Sequence, residues 1–129
     1  MFKILVFVYL LTSPLFSKDL YGRGVICKIS NILNYSKYVI YIFKEKAIYY
    51  AFNQKREKIY LHEYLGYDYG VNSEFILIGN NFLRINKKTM GLISSEDQYV
   101  GTCILFKSSS ELMEELEALK KIEQKKLNK

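Results

Sequence analysis

Gln98-Tyr-Val-Gly-Thr-Cys-Ile-Leu-Phe106 is the last strongly apolar run before a charged tail, and it carries Cys103, the second of only two cysteines. The first, Cys27, lies in a similar run near the start, Arg23-Gly-Val-Ile-Cys-Lys-Ile29. Between them the chain alternates short β-branched and aromatic segments with polar turns, which is the pattern of strands. The two cysteines are therefore expected to tie the first strand to the last. The fold class that follows is mainly β: an antiparallel β-sandwich or small β-barrel of about seven or eight strands, since strands at this spacing leave no room for parallel βαβ units.

The clearest strand pair lies upstream of that run. Tyr38-Val-Ile-Tyr-Ile-Phe43 and Ala47-Ile-Tyr-Tyr-Ala-Phe52 flank Lys44-Glu-Lys46 and read as a hairpin. Alternation puts Val39, Tyr41 and Phe43 on one face and Ile40 and Ile42 on the other. Both faces are apolar, so this hairpin is expected to be covered on both sides or to carry half-exposed tyrosines. Lys58-Ile-Tyr-Leu-His-Glu-Tyr64 is the next strand, with Tyr60, His62 and Tyr64 on the face opposite Ile59 and Leu61. Asn31 to Ser36 and Leu65 to Ser73 read as loops, and Asn53 to Glu57 as a charged turn. Strands are expected again at Glu74 to Ile78, Asn81 to Ile85 and Met90 to Ile93, with a turn at Asn86-Lys-Lys-Thr89.

The tail differs in kind. Ser108 and Glu111 form a capping-box signal, and Leu112, Leu116 and Leu119 recur at helical spacing. Glu residues crowd its start and Lys residues its end, matching the helix dipole. One amphipathic helix is expected over 108–129, packed on the sheet or across an open barrel end.

Residues 1–17 have the layout of a signal peptide: Lys3, an uninterrupted apolar stretch from Ile4 to Leu11, then Thr12-Ser-Pro-Leu-Phe-Ser17. The apolar stretch is shorter than the ~20 residues a membrane span requires. The expected organisation is a leader (1–17), a β-domain (18–107) and the helix (108–129), with no transmembrane span in the mature chain. Export to the periplasm or beyond makes a Cys27–Cys103 disulfide the expected state of the cysteines, because they lack metal-pair or redox spacing.

The formal net charge is +6 over 129 residues, and the basic side chains are scattered rather than clustered, which disfavours nucleic acid as a partner. His62 is the only histidine. Acid–base chemistry would need it beside Asp68 or Glu63, and alternation turns Glu63 to the other face. No Gly-x-Ser-x-Gly elbow, phosphate loop or zinc spacing is present, so no catalytic residue, cofactor or metal is expected and the chain reads as a non-enzyme. The candidate binding surface is the concentration of Tyr60, His62, Tyr64, Tyr67 and Tyr69, since tyrosine offers a large contact area with a polar tip.

Arg84-Ile-Asn-Lys-Lys-Thr89 followed by Tyr99-Val-Gly-Thr-Cys103 resembles the closing strands of small exported bacterial β-proteins of unassigned function. That resemblance implies export and a β-fold, with no activity attached. The cysteine-closed layout is also similar in outline to periplasmic lysozyme inhibitors, but their Ser-Gly-x-x-Tyr loop is absent and a basic chain is ill suited to a cationic lysozyme. The expectation is a monomeric, exported binding or accessory protein of the periplasm or cell envelope, whose partner is an envelope protein, a polymer or a small ligand. The alternative is a small-ligand carrier with an aromatic-lined barrel interior.

Overall fold

The computed structural model describes residues 17–30, 37–80 and 82–128. The expected leader, apart from Ser17, and the loop expected at 31–36 lie outside the described residues. The elements are α1 (Ser17–Leu20), β1 (Gly24–Ile29), β2 (Tyr38–Phe43), β3 (Ala47–Lys55), β4 (Lys58–Tyr67), β5 (Tyr69–Val71), β6 (Phe75–Ile78), β7 (Leu83–Asn86), β8 (Gly91–Ser94), β9 (Tyr99–Phe106) and α2 (Ser109–Leu127).

Among the described residues, nine antiparallel strands form one sheet in the order β4-β3-β2-β1-β9-β8-β7-β6-β5. The two edge strands, β4 and β5, are separated in sequence by Asp68 alone and run in the same direction. They are one bent path that pairs first with β3 and then with β6. The sheet therefore curls until its edges meet at this bend, where the Gly79 amide donates to the Asp68 carbonyl at 2.7 Å. Towards its start, β4 has no second strand beside it among the described residues, so the structure is a nearly closed barrel. This corrects one expectation: Leu65 to Ser73 is mostly strand rather than loop. Its two glycines and Asp68 allow the bend, while Tyr67 and Tyr69 remain packed on the barrel and hold the segment extended.

Period-two alternation sorts the side chains into two cores. Val25, Cys27, Ile29, Tyr41, Phe43, Ala47, Ile76, Ile78, Ile85, Leu92 and Cys103 fill the barrel interior, joined by Leu20 of α1 at the end where Phe43 lies. On the outer face, Ile26, Ile40 and Ile42 are buried beneath Leu112 and Leu116 of α2. The expected helix stripe thus covers the second apolar face of β2, which explains why that strand has no polar side. Gly24 permits the close approach, since a Cβ there would meet Leu112 Cδ1 at 2.4 Å. Ser108 caps α2 as its spacing predicts, its side chain accepting from the Glu111 amide at 3.2 Å.

Strands β1 and β9 pair with Cys27 directly opposite Cys103, and the two sulfurs are bonded. No helix among the described residues is long and apolar enough to cross a membrane.

Candidate functional site

Because the interior core is concentrated towards Phe43 and Leu20, the other end of the barrel is hollow. A cavity of about 530 Å³ lies there. Ile29, Val39, Tyr41 and Tyr49 form one wall, Leu83, Leu92 and Val100 the other, and Tyr67 and Phe82 flank the gap between the sheet edges. Ser94, Ser95, Glu96 and Gln98, at the β8–β9 connection, supply a polar rim. Phe82 is 58% exposed and Ser95, Glu96 and Gln98 are also exposed, so the cavity opens to solvent on this side.

The approach to the cavity is aromatic. Strands β3 and β4 run on past the start of β2, and their inward face carries Tyr60, His62 and Tyr64. Successive ring centroids connect this extension with the cavity: Tyr60 to His62 at 6.4 Å, His62 to Tyr64 at 4.5 Å and Tyr64 to Tyr49 at 5.3 Å. Tyr49 meets Tyr41 at 5.4 Å, and Tyr41 meets Tyr67 at 6.3 Å. The edge-on and tilted arrangements are those that aromatic quadrupoles favour. Asn53 Nδ2 donates to the Tyr64 hydroxyl at 2.9 Å and fixes that ring. Tyr41 is almost fully buried, and burial pushes its phenol well above the ordinary range, reinforced by the neighbouring Tyr49 and Tyr67. It is a neutral wall residue at physiological pH.

Four of the five residues singled out in the sequence, Tyr60, His62, Tyr64 and Tyr67, lie along this approach and at the cavity. Tyr69 also faces inward but at the filled end of the barrel: its ring packs on Phe43 at 4.9 Å and its hydroxyl donates to the Lys44 carbonyl at 2.7 Å. His62 is exposed between two tyrosines, while Asp68 pairs with Lys46 and Glu63 accepts from Tyr50 on the opposite face at 2.6 Å. The fold does not assemble these carboxylates with His62. Among the described residues, no group of three or more His, Cys, Asp or Glu is placed to hold a metal ion.

Tyr49, Phe82 and the β8–β9 connection are parts of the site that sequence reasoning missed. Alternation already placed Tyr41 beside Val39 on one face. Phe82, however, reaches the cavity only because the sheet curls far enough to bring the β6–β7 turn opposite β4. The β8–β9 connection is tightly held. The Ser94 hydroxyl accepts from the amides of Glu96 and Gln98, each at 3.3 Å, and Asp97, with φ of 62°, pairs with Arg84. Comparison with protein families, curated proteins and solved structures gave no match.

Proposed function

We propose that this chain is an exported, non-enzymatic carrier that holds a small, largely apolar ligand in the open end of its barrel. The observation that carries this reading is the cavity of about 530 Å³, entered past a continuous row of aromatic rings. Its volume falls within the ~300–1,000 Å³ usual for small-molecule sites, and its lining combines apolar walls with a few polar groups on one rim. A protein that recognised only an envelope protein or polymer would work equally well with a filled barrel and a surface of anchors. The hollow end therefore favours the carrier over the broader accessory role. The partly exposed Tyr60 and Tyr64 give an incoming ligand a first contact surface, and Tyr49 and the buried Tyr41 receive it deeper.

The leader-like residues 1–17 and the bonded cysteine pair support the periplasm or the exterior as the site of action. The intact mass of protein recovered from its native host tests this. A chain lacking the leader, and lighter by two hydrogens than the dithiol, is expected, whereas a full-length reduced chain would end the export reading.

Binding is tested by titrating the folded protein with octanol and with indole. Saturable binding of at least one is expected. Val100→Phe, which places a ring inside the cavity, should weaken it by about tenfold, about 1.4 kcal/mol, with the β-sheet circular dichroism unchanged. Saturable binding that Val100→Phe leaves untouched would move the site elsewhere, and no binding by either probe would remove the carrier reading.

A further inference from the structure

The cavity combines aromatic walls with a single kind of charge. Among its described lining residues Glu96 is the one with a formally charged side chain, and it is acidic in a chain whose formal net charge is +6. Arg84, which pairs with Asp97 next to Glu96, does not compete for the same space. It lies between the inward-facing Leu83 and Ile85, so it points outward, where it pairs with Asp97 and stacks over Phe75 at 5.2 Å. The hydrogen bonds of the Ser94 hydroxyl and the Asp97–Arg84 pair hold the connection that carries Glu96. Opposite this carboxylate stand the rings of Tyr41, Tyr49, Tyr67 and Phe82.

Resting on the carrier reading, we infer that the cavity selects cationic amphiphiles: a primary or quaternary ammonium group attached to an apolar body. Aromatic faces attract a cation through their quadrupoles, and more strongly where water is partly excluded. A carboxylate at the rim adds charge complementarity without requiring a deeply buried ion pair. The apolar body then lies against Ile29, Val39, Leu83, Leu92 and Val100, and the head group between Glu96 and the tyrosine rings. A carboxylate or phosphate head would instead face Glu96 with no cation in the lining to offset it, so anionic lipids and fatty acids are disfavoured.

The test uses three probes of matched chain length with the folded, disulfide-bonded protein: octyltrimethylammonium, octanol and octanoate. Octyltrimethylammonium is expected to bind about tenfold more tightly than octanol, with octanoate the weakest. Glu96→Gln, on an exposed connection, should erase the advantage of the cation over octanol. Added salt should weaken the cation alone. If octanol binds as tightly as the cation, or if Glu96→Gln leaves the cation's affinity unchanged, the charge selectivity is overturned while the carrier reading stands. If none of the three probes binds, both fall together.

Discussion

At the residue scale the phenols show how the two faces of one strand acquire different chemistry. Tyr49 and Tyr50 are neighbours on β3, yet Tyr49 faces the cavity while Tyr50 lies on the outer face near α2. Burial, then the hydrogen bond to Glu63, then that carboxylate's charge push the Tyr50 phenol up to about 12. A folded-state value above the unfolded 10.0 means that the folded protein holds this proton more tightly. The resulting stabilisation is fully present below the unfolded value and is lost as pH rises through the folded one. Urea unfolding at a series of alkaline pH values should therefore show stability falling between pH 10.0 and about 12, with a shallower fall in Tyr50→Phe. Identical slopes in the two proteins would show that Tyr50 contributes nothing to this limb.

At the element scale α2 performs two tasks that its amphipathic stripe alone does not reveal. Leu112 and Leu116 close the outer core, and further along Gln124 reaches the unpaired edge of β4. Its Oε1 accepts from the Ile59 amide at 2.8 Å, and its Nε2 donates to the Glu57 carbonyl at 2.8 Å. A side chain thus occupies part of the place a neighbouring strand would take, which protects an edge otherwise open to pairing with another chain. Leu112→Ala should cost about 2–5 kcal/mol in chemical unfolding, because the site is fully buried against the sheet. Gln124→Ala should cost only about 1 kcal/mol. It should nevertheless accelerate hydrogen exchange at the Ile59 amide selectively, and unchanged exchange there would mean that the contact is not maintained in solution.

At the scale of the whole molecule the barrel is closed by two different devices. On one side, β1 and β9 bring the two ends of the β-domain together, and the Cys27–Cys103 bond spans a sequence separation of 76. On the other, the Asp68 bend lets one chain path belong to both edges. Closing a loop of that length stabilises the fold by about 4 kcal/mol in the chain-entropy model. Replacing both cysteines with Ala should therefore lower the unfolding free energy by about 2–5 kcal/mol. The β1–β9 ladder should nevertheless form, because its hydrogen bonds and the packing of Val25 and Ile29 do not depend on the bond. A double variant as stable as the parent would assign closure to packing alone. The cavity also belongs to this scale, since its walls come from seven strands and two connections.

The sequence by itself determined the β class, the facing of β2 and β4, the capped helix and the pairing of the two cysteines. Each depends on local periodicity or on simple counting: alternation at period two, leucines at helical spacing, two cysteines without metal spacing. It also placed Tyr60, His62 and Tyr64 on one face, which is where the structure has them. Only the tertiary structure decided that the sheet curls into a barrel rather than splitting into a sandwich, that the supposed loop at Leu65 to Ser73 is the bend joining both edges, and that Tyr69 leaves its neighbours to pack on Phe43. These outcomes depend on the accumulated twist of many strands and on which side chains fill one end of the interior, neither of which any short stretch encodes. The cavity is the clearest case. It exists because Phe43, Leu20 and the isoleucines of β6 and β7 pack the barrel towards one end, while Phe82 and Glu96, distant in sequence from Tyr49, come to stand around the space left at the other.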